Sequence, residues 1–103
     1  IDTATIQLTL DNQPPEITIP YPTENETINY KPGGRITFRA DVNDNTGISR
    51  VDFYIGTRLI DSISFPPYVT NWNLSPGEFR LRVRVNDLAG NTSEESVKFD
   101  VIR

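Results

Sequence analysis

Five stretches of this chain alternate apolar and polar residues with a period of two, and no window keeps the period of an amphipathic helix. Successive side chains of a strand point to opposite faces, so this alternation marks strands with one buried side. In "GRITFRADV" the inward set is Ile36, Phe38, Ala40 and Val42, and in "RVDFYIG" it is Val51, Phe53 and Ile55. "YVTNW" offers Tyr68, Thr70 and Trp72, "EFRLRVRV" offers Phe79, Leu81, Val83 and Val85, and "SVKFDV" offers Val97, Phe99 and Val101. Shorter extended pieces are expected at 16–19, 27–30 and 57–63. Between them, "KPGG" (31–34) and "SPGE" (75–78) set a proline at its fixed φ beside a glycine free to go positive. "NDNTG" (43–47) and "NDLAG" (86–90) place Asn and Asp ahead of Gly, which suits an Asx-turn leading into a left-handed residue. Short strands at this spacing predict an all-β fold, an antiparallel β-sandwich. With 103 residues the chain is one domain, and 36% hydrophobic residues supply a single core without staples.

The composition also excludes chemistry. Without Cys there are no disulfides, thiolate nucleophiles or sulfur-ligated zinc, and without His the usual proton shuttle and transition-metal ligand is gone. An acid–base enzyme would have to rely on carboxylates, Lys or Tyr. A net charge of −4 disfavours nucleic acid, and no apolar run is long enough for membrane insertion. The chain has no Met and opens on Ile1, so it is expected to be a piece of a longer or processed polypeptide.

"PPEITIPYPTENETI", "DNTGISRVDFYIGTRLI", "PPYVTNWNLSPGEFRLRVRVNDLAGNTS" and the terminal strand together resemble the bacterial immunoglobulin-like (Big-type) repeats of secreted and cell-surface proteins. The likeness covers residues 14 to 103, and "GISRVDFYIG" and "VNDLAGN" are its most specific marks. The resemblance implies an Ig-like Greek-key sandwich of about seven antiparallel strands, without catalysis, standing beside cell-wall enzymes, glycoside hydrolases or adhesins as spacer or binding module. Antigen-receptor-like recognition is not implied, because the disulfide pair is missing and Trp72 falls late. "TATIQLTLDN" (3–12) also echoes "ESVKFDVIR" (95–103), with Ile6, Leu8 and Leu10 alternating as Val97, Phe99 and Val101 do. Residues 1–11 therefore read as an N-terminal strand and linker, either the last strand of a preceding repeat in a tandem array or an extra edge strand, and 12–103 as the domain.

Two constellations are candidate sites. In "DVNDNTGISRVD" the residues Asp41, Asn43 and Asn45 suit the opening of a helix–loop–helix calcium loop. Gly47 comes one place late, however, and Asp41 and Asp52 fall inside expected strands, so that motif is rejected. A second calcium reading remains: at the pole where the chain enters, Asp11 and Asn12, Asn43, Asp44 and Asn45, and Asn86, Asp87 and Asn91 would converge, much as in cadherin-type repeats. The alternative is that Asp44 and Asp87 brace turns through backbone amides. Arg80, Arg82 and Arg84 alternate with a buried set and so share one outer face, with Tyr54 as a ring for stacking. They form either a strip for an anionic glycan or phosphate, or the cross-strand partners of Asp52, Glu94 and Asp100.

Trp72 and Tyr68 sit at apolar positions and read as core, whereas Tyr21, Tyr30 and Tyr54 are surface candidates for a sugar. Asn25, Asn73 and Asn91 head glycosylation sequons that the bacterial resemblance makes incidental. Glu94 and Glu95 face opposite ways, so they do not make a glycosidase pair. The expected function is a non-catalytic spacer or positioning module of an extracytoplasmic bacterial protein, with neighbouring domains of the same polypeptide as partners and no cofactor. The alternative is a module for polysaccharide or cell-wall ligands.

Overall fold

The computed structural model describes residues 14–44 and 47–103. They form eight strands: β1 (Glu16–Tyr21), β2 (Glu26–Asn29), β3 (Arg35–Asn43), β4 (Ile48–Ile55), β5 (Arg58–Ile63), β6 (Val69–Asn73), β7 (Gly77–Asp87) and β8 (Thr92–Ile102). One sheet has the order β1-β3-β6 and the other β2-β8-β7-β4-β5, giving the expected two-layer sandwich. The inward sets close over one core of Ile36, Phe38 and Ala40 from β3, Val51 and Phe53 from β4, Leu81, Val83 and Val85 from β7, and Phe99 and Val101 from β8. Burial on β3 alternates residue by residue from Arg35 to Ala40, as the period of two requires.

One pairing departs from the antiparallel expectation: β2 runs parallel to β8, with Glu26 beside Phe99 and Asn29 beside Ile102. The cause is a strand divided between sheets. β1 pairs with β3, and its register shifts between Thr18 and Tyr21, where Pro20 has no N–H for the ladder. The chain then crosses to the other layer and continues in the same direction, which is also the direction of β8. The two can meet only as parallel neighbours.

Trp72 differs from its reading as plain core. It packs on Phe38 (ring centroids 5.9 Å apart), Phe79 (4.8 Å) and Phe99 (5.8 Å), but β6 is a sheet edge and the indole is only half-buried. Tyr68 is likewise packed against the core yet half-buried. Both "NDNTG" and "NDLAG" end as expected, with Gly47 at φ 98° and Gly90 at φ 93°, a region where a side chain would be strained.

Candidate functional site

Chain entry, the β3–β4 connection and the β7–β8 turn meet at one pole. Glu16 stands opposite Asn43 and Ile48 opposite Asp87, and the Leu88 N–H donates to the Gly47 carbonyl at 3.0 Å. Of the eight residues expected here, Asp11, Asn12 and Asn45 lie outside the described residues; Asn43, Asp44, Asn86, Asp87 and Asn91 are gathered. Asp87 is only 3% exposed. Its Oδ1 accepts the N–H groups of Ala89 (3.0 Å) and Asn91 (2.7 Å), and its Oδ2 accepts the Asn91 side-chain amide (3.0 Å). Desolvation pushes the Asp87 carboxyl pKa up. Hydrogen bonds from the Asn91 side chain and backbone and the Ala89 backbone, together with a side-chain bond shared with Asp44, outweigh it and hold the group below its ordinary value. For Asp87 this is the turn-bracing geometry, while Asp44 meets the Asp87 side chain. No group of three or more carboxylates suited to a metal occurs among the described residues.

The arginine strip lies on the outer face of the five-stranded sheet, where β7 is flanked by β4 and β8. Arg82 reaches Glu94 with two nitrogens (Nε–Oε2 3.0 Å, Nη2–Oε1 2.9 Å), donates to the Gly56 carbonyl (2.8 Å) and stacks 5.1 Å from the Tyr54 ring centroid. The Glu94 hydrogen bond raises the Arg82 pKa against the opposing effect of burial, and the same bond lowers that of Glu94. Arg80 donates to Ser96 at 3.2 Å, and Arg84 lies in register with both Asp52 and Glu94. Of the three acidic partners expected, Glu94 alone takes the role directly. Asp52, only 4% exposed, is held instead by Arg50 (3.0 Å) and the Ser62 hydroxyl (2.6 Å). Asp100 stands opposite Glu78, and its Oδ1 is buried with no hydrogen bond among the described residues. The three surface tyrosines do not assemble: Tyr21 is on β1, Tyr30 follows β2 under Arg103, and Tyr54 lies under Arg82.

A third place has no counterpart among the sequence motifs. A cleft of about 570 Å³ opens between edge strands β5 and β6, at the start of the first and the end of the second. Trp72, Phe79 and Ile55 line its apolar part, and Arg35, Arg58, Asn71 and Asn73 its polar part, with no acidic residue in the lining. Neither Arg35 nor Arg58 has an ion pair, side-chain hydrogen bond or ring contact among the described residues.

The family model described as bacterial Ig domain matches residues 15–95. The chain belongs to that family. Among solved structures, this bacterial Ig domain is similar to the fibronectin(III)-like modules of Clostridium thermocellum CbhA, at 27% identity and a TM-score of 0.76, covering 84% of this chain and 96% of that one. It also shares its fold with part of SGBP-B of the Bacteroides ovatus mixed-linkage glucan utilization locus, solved with a mixed-linkage heptasaccharide. There the identity is 14% and the TM-score 0.63, and the match covers 88% of this chain but only 24% of that one. No curated protein matches the chain. The edge cleft of the Ig domain left one weak trace in the sequence: Arg35 and Arg58 each open a strand just after a glycine turn, where a side chain stands at the rim of a sheet.

Proposed function

We propose that this Ig domain is a non-catalytic spacer that fixes the distance and orientation of its neighbours in an extracytoplasmic bacterial multidomain protein, such as a cell-wall enzyme, glycoside hydrolase or adhesin. The observation that carries the reading is the path of the chain. β1 starts at the pole shared with Asn43 and Asp87, while β8 ends at the opposite pole, beside Asn29 and just beyond the Gly77–Val101 pair. Entry and exit at opposite ends let one domain act as a strut. β8 alone is 11 residues long, which at a rise of about 3.3 Å per residue makes the strut roughly 35 Å.

Stiffness comes from the single core shared by both sheets. Likeness to the CbhA modules over 96% of their chain supports a modular role. Glu94 and Glu95 do not make a catalytic pair: Glu94 lies opposite Arg84 and Glu95 opposite Val83, so they face opposite sides of β8. Residues 1–11 would then be the linker, or the last strand of a preceding repeat.

The cysteine-free chain permits a direct test. Spin labels on Glu16→Cys and Arg103→Cys should give one narrow distance distribution centred at roughly 30–40 Å by double electron–electron resonance. A broad distribution, or one centred well below that, would remove the strut.

A further inference from the structure

We propose that the cleft between β5 and β6 binds an acidic polysaccharide, a glycan bearing uronate carboxylates. Its volume of about 570 Å³ lies within the range of small-ligand sites. The decisive feature is the state of its arginines. On the outer face Arg82 spends its donors on Glu94 and Gly56, whereas Arg35 and Arg58 are exposed and unpaired among the described residues. Two unpaired guanidiniums in a lining without acid make a local positive site on a chain of net charge −4. A planar guanidinium accepts a carboxylate in bidentate fashion, and this fixes the ligand charge.

The remaining lining fixes its class. Asn71 uses its Oδ1 to accept from Thr37 at 2.7 Å, which leaves its amide N–H groups to donate, and Asn73 offers both a donor and an acceptor. Such groups suit a ring of hydroxyls. Trp72 and the half-exposed Leu59 supply apolar surface for the C–H faces of a sugar. A polymer also needs a site that opens to solvent rather than a closed cavity, and the cleft opens between two strand edges, at the starts of β3 and β5 and the end of β6. The strut role is independent of this site, since the distance between the two poles does not depend on whether the cleft is filled.

Native gels containing polygalacturonate, and titration of the tryptophan fluorescence with galacturonate oligosaccharides, test the proposal. Trp72 is the only tryptophan and lines the cleft, so its emission reports occupancy. The expected result is retardation by polygalacturonate but not by neutral β-glucan or poly-glutamate. Binding should weaken about tenfold or more for each of Arg35→Ala and Arg58→Ala. It should stay unchanged in Arg39→Ala, which removes the same charge outside the cleft. No retardation by polygalacturonate, equal retardation by neutral glucan or poly-glutamate, or an equal effect of Arg39→Ala each overturns the proposal. All three variants should keep the wild-type melting temperature, because the side chains removed are exposed.

Discussion

Phe99→Ala is the substitution that most directly tests the packing. Phe99 is fully buried on β8, with ring centroids 5.7 Å from Phe38, 5.8 Å from Trp72 and 5.6 Å from Phe79. Truncating a buried phenylalanine costs about 3–5 kcal/mol, and losing three aromatic neighbours puts this site near the upper end. A domain of this length has about 5–15 kcal/mol in total, so the variant should be marginal rather than merely weakened. With a urea slope of about 1–3 kcal/mol per molar, a loss of about 4 kcal/mol moves the midpoint down by roughly 1.3–4 M. Urea titration followed by Trp72 fluorescence and far-UV circular dichroism measures it, because the indole meets the Phe99 ring edge-on at 87°. Phe99→Leu keeps much of the volume and should lose only about 1–2 kcal/mol. Lys98→Ala, the next residue on the opposite face, should stay within about 0.5 kcal/mol of wild type. If Phe99→Ala moved the midpoint no further than Lys98→Ala, the two-layer core built on these rings would be refuted.

The Asp87 carboxyl is held below its ordinary 3.8, so its stabilisation is complete above the unfolded value and is lost as the pH falls through the lower native one. Asp87→Asn should therefore melt lower than wild type at pH 7, with the gap closing in melts taken below about pH 4; a constant gap would show that the charge is irrelevant. Because that carboxylate already serves the turn, wild-type melts in excess chelator and in millimolar calcium should coincide, and a rise with calcium would assign Asp44 and Asp87 to a cation instead. A double-mutant cycle of Arg82→Ala and Glu94→Gln should give a favourable coupling in melts at low salt that shrinks at 1 M salt, where the screening length is about 3 Å; a salt-independent coupling would mean packing, not charge.

The core and the turns were legible because they are local. Alternation placed Ile36, Phe38, Val51, Phe53, Leu81, Val83, Phe99 and Val101 inward, and all are buried. The order Asn-Asp ahead of Gly90 announced the Asx-turn that Asp87 makes with the Ala89 N–H. What the sequence withheld is lateral. Nothing in "ETIN" says that its neighbour is β8 or that the pair is parallel, since that follows from β1 and β2 dividing between two sheets. Asp52 read as an exposed partner for an arginine strip, yet Ser62 from β5 covers it, and only the β4–β5 register brings that hydroxyl opposite. Trp72 alternated correctly, but alternation cannot say that β6 ends its sheet.

The same lateral logic separates the two groups of arginines. β7 has a neighbour on each side over much of its length, so an outward guanidinium such as Arg82 finds Glu94 on one side and Tyr54 on the other. Arg35 begins β3 at a level that β1 does not reach, because the β1 pairing stops at Arg39, and its cross-strand neighbour is Asn73 alone. Arg58 lies on β5, which has a partner on one side only. Arg35 and Arg58 thus stand where the register runs out and no carboxylate lies across from them, whereas Arg84, without a direct ion pair of its own, still sits between Asp52 and Glu94. Asn73→Asp tests this account with both guanidiniums kept, and Asn73→Ala, which removes the same amide donor without adding charge, is its control. It sets a carboxylate opposite Arg35, as Glu94 is set near Arg82, and opposite charges across a strand pair attract by roughly 0.2–1 kcal/mol. The variant should melt at or slightly above the wild-type temperature while losing its retardation in polygalacturonate gels. If retardation were unchanged, the unpaired state of Arg35 would have no bearing on the cleft, and edge position would not explain where this domain keeps its binding chemistry.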